Sequence, residues 1–266
     1  MSGSVWLDMN TEIQQQLALQ VSLSLDRYDT FLRQHGLETC GIVIDVGTGS
    51  GQFLKEVATR YPGIRFVGID NKPHMVEAAS NHAVSNVDWV FADALDDATA
   101  QAVEGADGIL MRYFLLHLQD TCSSLKQLLV SARPGTRLWI MDLDLDNNIC
   151  DPPSQVFADF VCLVQCFCDD IKVDIRTGSH LPAFLDACGF DVDEVAAEPF
   201  NSKEVERVVF IEYVMREALL YHYHLYGSPG EKELQPLREF LEGLVSDQDQ
   251  FVQYGMVMIS ATRRSH

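Results

Sequence analysis

The chain has 266 residues, 47% of them hydrophobic, and its 39 acidic against 19 basic side chains give a formal net charge of −20. That apolar content can bury one full core with elaborations, while the charge argues against a protein that works by gripping a nucleic-acid backbone. No apolar stretch approaches the roughly 20 residues that span a bilayer. Met1 to Asp8 lack a basic region leading into an apolar core, so no secretory leader is expected and the chain reads as cytoplasmic.

In chain order, residues 4–35 read as a helix, with Ile13, Leu17, Leu19, Val21 and Leu25 among its apolar positions and a stop at Gly36. Strand 42–46, helix 51–60, strand 64–69, helix 73–83, strand 87–92, a short helix near 97–103 and strand 108–112 follow. Helix 119–132 stops before Pro134-Gly135 and leads to strand 137–143. The strands are continuous apolar runs, as parallel strands covered on both faces should be. The repeated β-α units predict a doubly wound α/β sheet with ligand at the carboxyl ends of its strands. Gly47, Asp70, Asp93 and Met111 all fall there.

The segment Val43-Ile44-Asp45-Val46-Gly47-Thr48-Gly49-Ser50-Gly51-Gln52-Phe53 is the most informative. Its glycines allow a sharp turn and close ligand approach, and the next helix presents free N–H groups to that ligand. A dinucleotide fingerprint needs G-x-G-x-x-G. Here the third glycine, Gly51, comes one place early, and Gln52 stands where Gly or Ala is wanted. No G-x-x-x-x-G-K-[ST] phosphate loop is present either.

Three landmarks follow the loop. Ile64-Arg65-Phe66-Val67-Gly68-Ile69-Asp70 ends in an acid suited to ribose hydroxyls, and Val87-Asp88-Trp89-Val90-Phe91-Ala92-Asp93-Ala94 again ends in Asp-Ala. Ala106 to Tyr113, then Leu116-His117-Leu118-Gln119-Asp120, is the third. Each acid also suits a turn or helix cap when taken alone. Together, the (D/E)-x-G-x-G-x-G pattern and its three successors resemble the class I S-adenosylmethionine (SAM) dependent methyltransferases of small molecules.

The resemblance covers residues 40–145 well and 180–197 and 250–262 loosely. It implies a Rossmann-like, seven-stranded, mostly parallel sheet with an antiparallel last strand, and SAM as the cofactor. It implies a cofactor set of Asp45, Gly47, Thr48, Gly49, Gly51, Asp70, Asn71, Met75, Asp93, Ala94, Met111 and Arg112, with Asp70 on the ribose and Asp93 on the adenine amino group. It further implies one methyltransferase domain. Within it, 1–36 is a helical arm, 37–145 the cofactor core, and 146–177 a helical insertion; 178–200 and 250–264 complete the sheet, and 201–249 is a second helical insertion.

Beyond residue 145 an apolar helix is expected over 152–171, a helix over 180–189, a strand over 192–197 and the closing strand over 251–260. Between them lie a long helix, 202–226, with Asn201 as N-cap and Glu204 three residues on, and another at 231–246. Val208, Ile211, Met215 and Leu219 form the long helix's expected apolar stripe, with Glu212 and Arg216 paired outside it. These insertions and the N-terminal helix read as a lid over the strand ends that shapes a pocket for a small organic acceptor. Thickening of the core or a homodimer interface remains the plain alternative.

Seven cysteines, an odd count, are expected to be reduced. Cys162-x-x-x-Cys166-x-Cys168 sits on a helix with Cys166 and Cys168 pointing apart, so small apolar packing is favoured over zinc and no metal is expected.

A phenolic acceptor gains from a general base. His117 is one candidate, since plant-type O-methyltransferases place a His base after the fourth strand, here one position on; it equally suits a structural place at a helix start. His222 is the second, from the ring-rich Tyr221-His222-Tyr223-His224-Leu225-Tyr226, in which His222 and His224 point apart. Methylation of a hydroxyl on an aromatic or secondary metabolite is the expected reaction. N- or C-methylation, and a SAM-binding protein without transfer, stay open.

Overall fold

The structure is a computed structural model. It describes residues 3–265 other than 83, 119, 174, 175, 204 and 248, with side chains from residue 15 onward apart from 177, 198 and 199. The elements run α1 (Gly3–Gln34), β1 (Ile42–Val46), α2 (Gln52–Arg60), β2 (Arg65–Asp70), α3 (Pro73–Ser80), β3 (Val87–Phe91), α4 (Asp97–Gly105), β4 (Gly108–Arg112), α5 (Thr121–Leu129) and β5 (Arg137–Leu143). They continue as β6 (Ile149–Asp151), α6 (Gln155–Ile171), α7 (Thr177–Ala187), β7 (Phe190–Asn201), α8 (Arg207–Tyr226), α9 (Gln235–Gly243) and β8 (Phe251–Arg263).

The strands form one sheet in the order β3-β2-β1-β4-β5-β8-β6, with β7 also paired to β8. β1 to β5 are parallel, and β8 runs antiparallel to both β5 and β7. The doubly wound α/β expectation is met: the seven strands foreseen are present, and short β6 adds an eighth. The order turns back between β1 and β4, which opens a crevice at the carboxyl tips.

Period-two alternation explains why these strands read as unbroken apolar runs. Ile44, Val46, Ile109, Met111, Leu138 and Ile140 face the α5 and α7 side. Val43, Leu110, Trp139 and Met141 face α1 and α2, where Tyr28, Phe31, Leu32, Phe53 and Leu54 cover them. A third apolar cluster joins α6, α8 and α9 to the first half of β8 through Phe157, Phe160, Phe210, Val214, Leu237, Leu241, Val252 and Tyr254.

The largest departure from expectation is the start of the long helix. Asn201 does not cap it; β7 carries on to that residue, which pairs with Gln253 of β8. Its side chain instead accepts the Lys203 N–H at 3.0 Å as the chain turns out of the strand, and α8 begins at Arg207. Glu204, the other half of the expected capping box, lies outside the described residues. Of the expected stripe only Val208 fails, being 61% exposed; Met215 is buried, Ile211 and Leu219 pack against the same cluster, and the buried face widens to take in Phe210, Tyr213, Val214, Glu217, Ala218 and Tyr221. The Glu212–Arg216 pair forms at 3.1 Å.

Cys168 packs inside the third cluster, whereas Cys162 and Cys166 are exposed. Among the described residues no helix is long and apolar enough to cross a membrane, and no group of three or more metal-capable side chains gathers.

Phe210 has no exposed surface and its ring lies 5.2 Å from that of Phe200. Phe210→Ala should therefore lower the unfolding free energy by about 3–5 kcal/mol. Urea unfolding should show the midpoint falling with little change in slope.

Candidate functional site

The glycine loop after β1 is held by β2. The N–H groups of Gly47 and Thr48 both donate to the Ile69 carbonyl at 2.9 Å, and Gly49 N–H donates to Asp70 Oδ2 at 2.9 Å. The other Asp70 oxygen accepts the Lys72 N–H at 2.9 Å, so one carboxylate ties the loop to the exit of β2.

All three loop glycines have positive φ, but only one leaves open space above it. A Cβ on Gly47 would strike Phe114 at 2.4 Å, and one on Gly51 would strike Trp89 at 2.6 Å and Ala79 at 2.8 Å. A Cβ on Gly49 would meet only Leu17 of α1, at 3.9 Å. Gly47 and Gly51 are thus required by packing, and Gly49 forms the accessible floor under α1.

Asn71, exposed at the rim, donates to Asp93 Oδ2 at 2.8 Å, and Asp93 Oδ1 accepts the Leu95 N–H at 3.0 Å. The tips of β2 and β3 are linked in this way. Ala94 is half-buried against the core, and Met75 is buried in α3. Asp45 is 3% exposed. Burial pushes its carboxyl up to about 6, against the Thr48 hydroxyl and the Arg112 guanidinium, which pull it down. The side chain of Met111 is fully buried in the core and cannot line the crevice; only its backbone stands at the tip of β4.

Arg112, the next residue, points the other way. Its guanidinium lies 4.6 Å above the Phe53 ring and 5.1 Å from that of Tyr113, and its buried Nη1 has no hydrogen-bond partner. Tyr113 adopts φ 49, a costly conformation for a bulky residue. Its hydroxyl lies 3.3 Å from the Tyr28 hydroxyl and 2.9 Å from Met256 Sδ.

Two acids that sequence reasoning did not single out complete the surroundings. Asp142, at the end of β5, accepts the Leu115 and Leu143 N–H groups at 2.8 Å and fixes the turn after β4. Burial pushes it up to about 6 as well. An apolar run ending in Asp was its signal, the pattern that marked Asp70. Glu217, on the buried face of α8, is 5% exposed and accepts Gln16 Nε2 of α1 at 2.5 Å. It had no local signal beyond a charge among apolar neighbours.

The two histidines stand elsewhere. His117 is exposed, with the rest of its ring crowded by protein and Lys72 and Asp70 as its charged neighbours. That enclosure, reinforced by Lys72 and opposed by Asp70, pushes the imidazole down to about 4. It is neutral at physiological pH, a weak match for a phenol, and it sits on the Asp70 side. His222 turns away from the strand tips: Nδ1 lies 2.9 Å from the Ser228 carbonyl, its ring is 4.6 Å from that of Tyr226, and it lines a separate cavity of about 630 Å³ between α6, α8 and α9. The expectation of His222 as base is corrected on that ground. His224 pairs with Asp170 at 3.0 Å and ties α8 to α6.

The buried acids set a pH dependence. A folded state that holds Asp45 protonated up to about 6 binds more protons than the unfolded chain between about pH 4 and 6, so its stability falls as pH rises through that window. Asp45→Asn should flatten the decline by on the order of 2–3 kcal/mol, read as melting temperature against pH; an unchanged slope would contradict the assignment.

A family model described as a methyltransferase domain matches residues 39–210. The O-methyltransferase rstn1 of Aspergillus nomiae is 32% identical over 157 residues, covering 57% of this chain and 65% of that protein. The O-methyltransferase resE of Aspergillus sclerotiorum is 29% identical over 198 residues, 73% of this chain and 67% of that one. The matched stretch thus spans about two thirds of each relative's length. Human N-acetylserotonin methyltransferase, solved in complex with SAM, superposes with TM-score 0.55 at 17% identity, over 96% of this chain and 56% of that one, a likeness of fold.

Proposed function

This chain belongs to the class I SAM-dependent methyltransferases, and on that premise we propose that it methylates the hydroxyl of a small aromatic or secondary metabolite. The observation that carries the reading is the open face of Gly49, whose N–H is held by the Asp70 carboxylate and which lies beneath Leu17 of α1, with Asp93 partly open at the neighbouring strand tip.

The residues present fit the cofactor. Acidic strand tips suit a ligand that carries a sulfonium and an ammonium and no phosphate. Asp70, its oxygens already fixed by the N–H groups of Gly49 and Lys72, keeps lone pairs free for ribose hydroxyls. Asp93, steadied by Asn71, would take the adenine amino group. The unpartnered Nη1 of Arg112 offers a donor for the carboxylate of the methionine part. Thr48, Gly47, Gly51, Met75, Ala94 and the Met111 backbone form the remaining walls. Bound there, SAM supplies a methyl group already activated on positive sulfur, which leaves the protein to align the acceptor and exclude water.

The helical roof supports a small acceptor. Leu17 lies over Gly49, and α1 meets α8 through Gln16 and Glu217. Aromatic rings of α8, β7 and β8 pack behind that contact. Such a lid shuts out water and macromolecular acceptors alike, and the net charge of −20 weighs against nucleic acid.

Asp70→Ala should weaken SAM binding by about 1–3 kcal/mol in calorimetry, because it removes the ribose acceptor and frees the loop. Gly49→Val should abolish binding, since it puts a branched side chain on the open floor at φ 57. Incubation with methyl-labelled SAM and a metabolite extract should yield a labelled ether; tight SAM binding with no labelled product would sink the transfer reading and leave a cofactor-binding protein.

A further inference from the structure

Glu217 is a buried carboxylate on the inner face of α8, where it accepts Gln16 Nε2 of α1. Besides Gln16, the side chains of Tyr221, Tyr213 and Gln20 favour its charged form. Four polar atoms in this cluster, Gln16 Oε1, Gln20 Oε1 and the hydroxyls of Tyr213 and Tyr254, find no partner at ordinary hydrogen-bond geometry although their residues are more than nine-tenths buried; the two hydroxyls make only looser polar contacts, Tyr213 with Glu217 and Tyr113 and Tyr254 with Tyr221. Unsatisfied groups at this depth are costly to folding and rare. Poorly satisfied groups gathered around one carboxylate are what a site for a polar ligand would present. The walls are aromatic: the Tyr213 ring lies 4.6 Å from that of Phe200 and 6.0 Å from that of Tyr254, which lies 5.6 Å from that of Phe160.

The cluster adjoins the cofactor cradle on two sides. Gln16 precedes Leu17, the residue over Gly49. Tyr213 contacts Tyr113, which follows Arg112 at the tip of β4.

Resting on the methyltransferase reading above, we propose that Glu217 is the catalytic residue that binds the hydroxyl of a neutral phenolic acceptor and receives its proton during transfer. The phenol O–H gives its proton to a Glu217 carboxylate oxygen while a phenol oxygen lone pair forms the bond to the methyl carbon. The carbon–sulfur bond breaks, and its electron pair stays on sulfur. A neutral phenol, a carboxylate and a sulfonium thereby become an ether, a carboxylic acid and a thioether, all uncharged. Loss of both charges is favoured most where water is absent, and burial raises the proton affinity of Glu217 above that of an ordinary carboxylate. The proton returns to water when product leaves.

The test uses the full chain, S-adenosylhomocysteine (the demethylated cofactor) and 4-nitrophenol, whose phenolate absorbs visible light. In the wild-type complex the bound probe should stay protonated, its apparent pKa raised by about one unit or more. Glu217→Gln should keep S-adenosylhomocysteine affinity yet release the phenolate band at the same pH, whereas Glu212→Gln, which removes an exposed carboxylate of the same helix, should not. Equal spectra and equal probe affinity in wild type and Glu217→Gln, or no probe binding to the cofactor complex at millimolar concentration, would overturn the assignment. If Glu217→Gln loses cofactor binding through misfolding, Glu217→Ser, which also removes the carboxylate, decides: a spectrum as in wild type refutes the role, and release of the phenolate band supports it. Failure of the wild type to bind the cofactor product would instead refute the family-based function, and this residue's role with it.

Discussion

The hydrogen bond from the Gly49 N–H to the Asp70 carboxylate is the constraint on which the rest of the site depends. It joins the loop after β1 to the tip of β2, and the same carboxylate caps the turn into α3 through Lys72. Since Gly47 and Thr48 also donate to Ile69, the loop is a continuation of the β1–β2 ladder more than a free connection. Its shape is fixed before any ligand arrives, which limits the ordering entropy that binding would otherwise cost.

Around that fixed floor the chain places acids with different environments. Asp70 and Asp93 are partly open and bound to N–H donors, whereas Asp45 and Asp142 are sealed in and raised by burial. The open pair is available to a ligand. The sealed pair organises protein: Asp45 stands beside Thr48 and Arg112, and Asp142 holds the turn that carries Leu115 to His117. Environment separates four similar side chains into two kinds of work.

Local features were legible in the sequence. The glycine spacing, the acids at Asp70 and Asp93, and the strands through 143 all follow from short-range periodicity and turn chemistry. What sequence could not supply depends on distant pairing. Asn201 looks like a helix cap until its partner Gln253 extends β7 past it. His222 looks like a residue of the acceptor pocket, yet its ring pairs with the Ser228 carbonyl and lines a separate cavity between α6, α8 and α9. Glu217 looks like a solvent-facing charge, and only the packing of α1 against α8 hides it. Such conflicts between local pattern and tertiary placement are where functional groups are to be sought.

β8 belongs to all three apolar clusters at once, with Met258 meeting the α1 and α2 side. Val252, Tyr254 and Met256 sit among the helices of the roof, while Val257, Ile259 and Ala261 sit beneath the sheet next to β5. One uninterrupted ribbon therefore threads both bodies, and it hydrogen-bonds to β7 along almost its whole length. Amide protons on the two halves of this ribbon should exchange through shared opening events, so the cover cannot melt as a separate cooperative unit.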